Sequence, residues 1–209
     1  MIQNAGSPES PNPKNPDPNA EKPDALLQPM ALRQMFHDVV GDCYSGGIGI
    51  RDSEVTGYVA DVLTEFCASE KVYGIRDQTG RPLKTVGEML LASDPVFGSA
   101  YSFDRERAVR KHIGDYTLFF AGLFPEATET KRQYTKVEGF LELVRAGKES
   151  YYIVSQFDLF EYASEAPLFA KLAKQFESCI YGLNLVRTEL ERRKVLVKPV
   201  PPQQPKLLM

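Results

Sequence analysis

The chain has 209 residues, and its charges nearly balance: 25 Lys and Arg side chains against 28 Asp and Glu give a formal net charge of −3. Both signs are interspersed, which excludes a large basic surface for nucleic acid. No apolar run approaches the ~20 residues of a membrane span. No basic segment followed by an apolar stretch opens the chain, as it would in a secretory signal. We therefore expect a cytoplasmic protein that binds neither nucleic acid nor membrane.

Proline separates a central domain from two tails. Ten of the 15 prolines lie in the first 24 and the last 15 residues. Such a composition favours disorder with polyproline-like stretches. We predict a disordered tail over 1–24, a helical domain over 25–194 and a second disordered tail over 195–209. Tails of this kind are more often spacers than ligands for a groove that recognises Pro-x-x-Pro.

Helical periodicity governs the first half of the domain. Apolar residues at helical spacing form one stripe over 32–43 and a second, clearer one over 55–66. The glycine-rich segment 46–50 interrupts the pattern between them. Asp52 or Ser53 is placed to cap the second helix.

Turn and capping residues predict where the next helices begin. The segment 77–82, Asp-Gln-Thr-Gly-Arg-Pro, has the chemistry of a turn. Thr85 and Glu88 have the spacing of a capping box, which opens a short helix. Ser102 is predicted to cap a helix over about 103–122.

Two long apolar patterns fill the rest of the domain. The first predicts a helix over about 136–163, with Gly147 as the place for a kink. After Ser150 this pattern is apolar on nearly every side, which is typical of a helix buried on both flanks or lying in an interface. The second predicts a last helix over about 166–193. Because no segment alternates as a strand does, the fold class is all-α, a single bundle of about six helices.

The cysteines and histidines do not have the spacing of a complete set of metal ligands. Cys43, Cys67 and Cys179 are odd in number and widely spaced, so we read them as small buried hydrophobes in a reducing compartment. A ferritin-like Glu-x-x-His pair is missing, because Val109 stands three residues before His112. His37, which precedes an aspartate, reads as a surface histidine. We therefore expect no metal and no cofactor.

The segment 110–125 is the strongest candidate for a site. A helical wheel places His112 with the apolar residues and Asp115 at the rim of that face, so that the two side chains can meet. Gly114 and Thr117 lie on a separate stripe of small residues, which would let another helix approach closely.

Two interpretations of His112 and Asp115 stay open at this point. In the functional one, His112 is a general base oriented by Asp115, and Arg110 or Arg107 binds an anion. In the structural one, the two side chains satisfy each other inside the core, because an unpaired buried polar group costs several kcal/mol. No nucleophile elbow accompanies the pair, so covalent catalysis lacks a partner.

The same segment resembles a pattern, Arg-His-x-Gly-Asp-x-x-Leu-Phe-x-x-Gly-x-Phe, of an uncharacterised family of bacterial helical proteins. The resemblance spans 55–190 and is sharpest at 110–125. The chain departs from it at Lys111, which stands directly before His112, with the arginine displaced to Arg110. The resemblance implies an all-helical fold and no particular chemistry.

The leading hypothesis is a non-enzymatic helical bundle that acts through a protein partner or through self-association. The second is a small-ligand or cofactor site near His112, between its helix and the aromatic helix that follows Ser150. The third is an enzyme that uses His112 and Asp115. The candidate binding residues are Arg110, His112, Asp115, Tyr116, Tyr151 and Tyr152.

Overall fold

The computed structural model describes residues 29–67, 69–128 and 136–195, so the predicted tails lie outside the described residues except for Val195. Within those ranges the fold is all-α and contains no strand, which confirms the predicted class. The described residues form eight helices where about six were expected. They are α1 (Pro29–Asp42), α2 (Ser53–Phe66), α3 (Ser69–Val72), α4 (Val86–Ser93), α5 (Phe103–Leu123), α6 (Lys136–Ser155), α7 (Ala166–Lys174) and α8 (Phe176–Arg192).

The predicted N-terminal caps are present. Asp52 caps α2, Ser102 caps α5, and Thr85 forms a complete capping box with Glu88 at the start of α4. Each cap provides an acceptor for backbone N–H groups that have no partner in the first helical turn. These three helices therefore begin where the sequence predicts.

The break predicted at 46–50 falls at Gly49. The chain continues from α1 into a π-helical turn (Cys43–Ile48) and leaves it only at Gly49, whose φ is 74°. The N–H of Ile50 donates to the carbonyl of Tyr44 over 3.0 Å, which closes this turn. Gly49 ends the helix because only glycine adopts the left-handed region at no steric cost.

The predicted helix over 136–163 is too long. α6 ends at Ser155, where the N–H of Phe157 bonds to the carbonyl of Val154, only three residues back. A single 3₁₀ turn (Phe160–Tyr162) follows, and Phe160 has a φ of 53°. Tyr151 and Tyr152 therefore lie within α6, whereas Phe157 and Phe160 of the same aromatic run lie outside it.

The predicted last helix is two helices. α7 and α8 meet at Gln175, whose backbone (φ −108°, ψ 18°) departs from helical geometry. Phe169 of α7 and Phe176 of α8 both face the ring of Tyr151, with ring centroids 5.6 and 5.7 Å away. The bend lets residues on either side of it pack against the same side chain.

Helix α5 is the central element of the fold. It packs against α4, α6 and α8, and every residue of it from Ile113 onward is buried. The sequence predicts one apolar face and a separate stripe of small residues for this helix. The actual burial is wider because neighbours cover its second half from all sides.

Small residues let these helices approach closely. A Cβ at Gly114 would overlap the ring of Tyr151 on α6. A Cβ at Gly147 would overlap Thr117 of α5 and Phe176 of α8. The predicted small-residue stripe is thus a packing surface, and Gly147 lies inside the continuous helix α6.

We predict that Gly114→Ala destabilises the protein by about 1–3 kcal/mol, because the added methyl group collides with a ring that cannot move freely. Gly41→Ala is the matched control: no atom lies within 4 Å of the Cβ that it adds in α1. Helix propensity alone should then leave it neutral or more stable by up to ~1 kcal/mol. Urea unfolding of both variants measures the difference. Equal stability would contradict the described contact between α5 and α6.

Candidate functional site

A buried carboxylate joins three helices at the middle of α5. Asp115, which is only 5% exposed, accepts hydrogen bonds at Oδ1 from Tyr58 of α2 over 2.5 Å and from Tyr151 of α6 over 2.8 Å. Its Oδ2 accepts a hydrogen bond from Nζ of Lys111, one turn earlier on α5, over 2.9 Å. We call these four residues the Asp115 cluster.

Aromatic rings enclose the Asp115 cluster. The rings of Tyr58 and Tyr151 meet edge to face, with centroids 6.2 Å apart. Phe169 of α7 packs against both rings, and Phe176 of α8 packs against Tyr151. Side chains from four helices thus contact one another around the carboxylate that α5 carries.

The electrostatics of the cluster favour neutral phenols beside a paired carboxylate. Burial, and then the charge of Asp115, raise the pKa values of Tyr58 and Tyr151 well above their ordinary value. Both hydroxyls therefore remain proton donors at neutral pH. Lys111 contributes the compensating charge, and its Nζ also lies 5.0 Å from the centroid of the Tyr58 ring. Because all its partners are donors, Asp115 serves only as an acceptor.

The predicted contact between His112 and Asp115 does not form. The Nε2 of His112 lies 3.2 Å from the carbonyl oxygen of Val72, at the end of α3. Its ring packs against Phe66 of α2, at a centroid distance of 5.6 Å. Since a carbonyl can only accept, Nε2 carries the proton. Neighbours three residues apart on a helix can meet, but here each one finds partners on a different element.

The other candidate binding residues take no part in the Asp115 cluster, although the rings of His112 and Tyr116 meet at a centroid distance of 6.3 Å. The hydroxyl of Tyr116 and the Nε of Arg110 are buried and have no hydrogen-bond partner in the described part of the chain. Tyr152, beside the buried Tyr151, is instead 58% exposed on α6. The structure therefore places Asp115 and Tyr151 together. The remaining four candidates do not form a common site with them: Arg110, His112, Tyr116 and Tyr152.

Arg107 is not available as a free anion-binding group. Its Nη2 lies 2.5 Å from Oε2 of Glu165, and its guanidinium carbon lies 4.0 Å from the centroid of the Tyr162 ring. The side chain is buried under these partners. Its charge is thus already paired, and it holds the segment after α6 against α5.

Tyr152 lines a shallow groove of about 620 Å³ between α6 and α7. Both signs of charge surround it, including Lys148 and Glu149. Lys148 is itself paired with Glu177 of α8 over 2.7 Å. Three basic side chains (Arg145, Lys148 and Lys174) and one acidic one (Glu149) line the groove, so its lining is positive on balance, and one of these cations is already paired.

A second groove, of about 400 Å³, lies between the start of α5 and the segment 156–162, and we call it the aromatic groove. Phe103, which is 79% exposed, and Phe160, which is 88% exposed, present their rings to solvent there. The ring of Phe103 meets that of Phe157, with centroids 6.4 Å apart. Four carboxylates surround these rings, from Asp104, Glu106, Asp158 and Glu161.

The backbone of the aromatic groove is held in place. Tyr162 donates a hydrogen bond to Oδ1 of Asp104 over 2.8 Å, and Arg107 stacks against the same tyrosine ring. The backbone of Phe160 adopts a left-handed conformation, and its ring points into solvent. The sequence did not predict this groove, because it placed the same aromatic residues inside a long buried helix. The one sequence feature that pointed to an exposed aromatic surface was the pattern after Ser150, which is apolar on nearly every side.

Cysteines and metals offer no further site. Cys179 is buried as expected, but Cys43 is half-buried and Cys67 is exposed, and all three thiols are free. His37 keeps 32% of its side chain exposed, and its Nε2 pairs with Asp61 over 3.0 Å. Within the described ranges, His, Cys, Asp and Glu side chains do not group as metal ligands.

The geometry defines an all-α bundle with a buried carboxylate–phenol cluster and an exposed aromatic groove. Comparisons with family models, with curated proteins and with solved structures found no match to the chain. The resemblance at 110–125 therefore stays an expectation from the sequence. Among the described helices, none combines the length and the apolar character that a membrane crossing requires.

We predict that the environment of His112 makes the protein less stable as the pH falls. Burial lowers the pKa of His112 below its ordinary value of 6.5, so the unfolded chain takes up this proton more readily than the folded protein does. Stability is then complete above about pH 6.5 and declines below it. Urea unfolding between about pH 5 and 7.5 measures this decline.

His112→Gln, which keeps a donor for the Val72 carbonyl, should reduce the decline. His37→Gln retains His112 and serves as the matched control. If both variants show the same pH dependence as the original chain, His112 is not responsible.

Proposed function

We propose that the protein is a non-enzymatic protein-binding module and that the aromatic groove is its binding surface. The observation that carries the proposal is the pair of exposed rings, Phe103 and Phe160, on a backbone fixed by Tyr162 and Arg107. Single exposed apolar residues are ordinary, but a contiguous apolar cluster inside a polar rim is typical of an interaction site. Aromatic side chains also dominate the energetics of interfaces.

The residues that suggested catalysis serve the core instead. Asp115 is nearly sealed from solvent, and its oxygens accept bonds from Tyr58, Tyr151 and Lys111. His112 has no carboxylate to orient it, since its hydrogen bond goes to a backbone carbonyl. A general base needs access to its substrate and an orienting group. These contacts support a structural role for the pair.

The charge around the aromatic groove specifies the kind of partner. Its lining includes Asp104, Glu106, Asp158 and Glu161 and no Lys or Arg. Complementary charge steers association and disfavours wrong partners. A matching segment is therefore apolar or proline-rich, and it carries Lys or Arg.

Selection of a random peptide library on the full chain tests the proposal. We expect recovered peptides to combine basic residues with prolines or apolar residues. Their affinity should fall at least about tenfold for the double variant Phe103→Ser and Phe160→Ser, because aromatic anchors supply most of the binding energy. Both side chains are mostly exposed, so this variant should keep its fold.

Tyr181→Ser is the matched control, because Tyr181 is a 58% exposed aromatic residue on α8, outside the aromatic groove. It should bind the recovered peptides as the original chain does. Absence of any enrichment, or peptides that bind the groove variant equally well, would contradict the proposed function.

A further inference from the structure

We infer that the aromatic groove binds residues 196–209 of a second copy of this chain. The inference rests on the proposed function and names its partner. Two observations lead to it: the chemistry of that segment matches the groove, and the geometry of α5 and α8 keeps Lys198 from reaching the groove of its own chain.

The segment 196–209 has the composition that the aromatic groove requires. It contains four prolines, two lysines (Lys198 and Lys206) and no acidic residue. Proline-rich segments favour the extended polyproline helix, and they lose little entropy when they dock on aromatic rings. The prolines between the two lysines can pack on Phe103 and Phe160, while the lysines face the four surrounding carboxylates.

The other proline-rich segment of the chain has the wrong charge. Residues 1–28 contain six prolines, but also four acidic residues against two lysines. Its net negative charge would face the carboxylates of the aromatic groove, and like charges across an interface are unfavourable. Proline content alone therefore does not select the occupant, whereas charge does.

Helices α5 and α8 run in the same direction. Phe176 lies beside Thr117, around Gly147, whereas Leu183 lies beside Gly122, so later residues of α8 meet later residues of α5. Arg187 then donates to the carbonyl of Leu123, at the end of α5. The end of α8 thus lies at the opposite end of α5 from the aromatic groove.

The distances along these helices exclude one docking mode within a single chain. Phe103 and Leu123 are separated by about 30 Å of helix at 1.5 Å per residue. Helix α8 ends at Arg192, and the N–H of Val195 bonds back to the carbonyl of Leu190, so Val195 stays at the end of α5 that is far from the groove. From Val195 a fully extended chain reaches at most about 11 Å to Lys198, about 25 Å to Pro202 and about 40 Å to Lys206. A docked segment that brings both lysines to the groove must therefore come from another molecule.

Sedimentation velocity on the full chain tests this inference through complementation. The groove variant (Phe103→Ser with Phe160→Ser) keeps residues 196–209, and the segment variant (Lys198→Glu with Lys206→Glu) keeps the groove. We expect the original chain to self-associate and each variant alone to associate at least about tenfold more weakly. A mixture of the two variants should form a one-to-one complex, because one intact groove then meets one intact segment. Lys14→Glu with Lys22→Glu, in the N-terminal segment, is the matched control and should associate like the original chain.

An original chain that stays monomeric, a segment variant that associates normally, or a mixture that forms no complex would each overturn the inference. The peptide selection separates this failure from failure of the proposed function. Library peptides that bind the aromatic groove while residues 196–209 do not would leave the binding module in place with a different partner.

Discussion

A carboxylate that leaves water must find hydrogen-bond donors, since an unpaired buried charge costs more than most single contacts contribute. Asp115 finds its donors on α2 and α6 and on its own helix, through Tyr58, Tyr151 and Lys111. Each phenol brings an aromatic ring with it, and those rings contact α7 and α8. The need to satisfy one side chain thus fixes how five helices pack.

The same constraint extends to the surface. The bond between Tyr151 and Asp115, together with the close approach at Gly114, sets the position of α6 along α5. α6 then ends at Ser155, and the segment after it crosses to the start of α5, where Tyr162 bonds Asp104. The exposed aromatic groove is therefore built on the helix that carries the buried carboxylate. The binding function that we propose for this surface requires no chemistry at Asp115, only the fixed packing of α5 and α6 that Asp115 supports.

The local features of the fold could be predicted from the sequence. Caps such as Asp52 and Ser102 depend on a few neighbouring residues, and the apolar periodicity of α2 is likewise local. A helical wheel also placed Gly114 on a surface where another helix approaches. These features need no knowledge of what lies across the core.

The partners of the candidate site could not be predicted in this way. Tyr58 and Asp115 are separated by 57 positions, and no periodicity connects them. A helical wheel places His112 near Asp115. The groups that bond to these two side chains, however, lie on α2, α3 and α6. The bend at Gln175 could not be predicted, because no glycine or proline marks it in the sequence. The end of α6 depends on contacts that the following segment makes with other parts of the fold.

A double-mutant cycle between Asp115 and Tyr151 tests most directly whether this carboxylate organises the core. Tyr151→Phe should cost about 1.5–3 kcal/mol in the original chain, because it removes a hydrogen bond to a charged group. In an Asp115→Ala background the same change should cost little or nothing, since the phenol has already lost its acceptor. The coupling free energy from urea unfolding should then exceed about 1 kcal/mol. An equal cost of Tyr151→Phe in both backgrounds would show that the bond contributes nothing and would contradict the central role of Asp115.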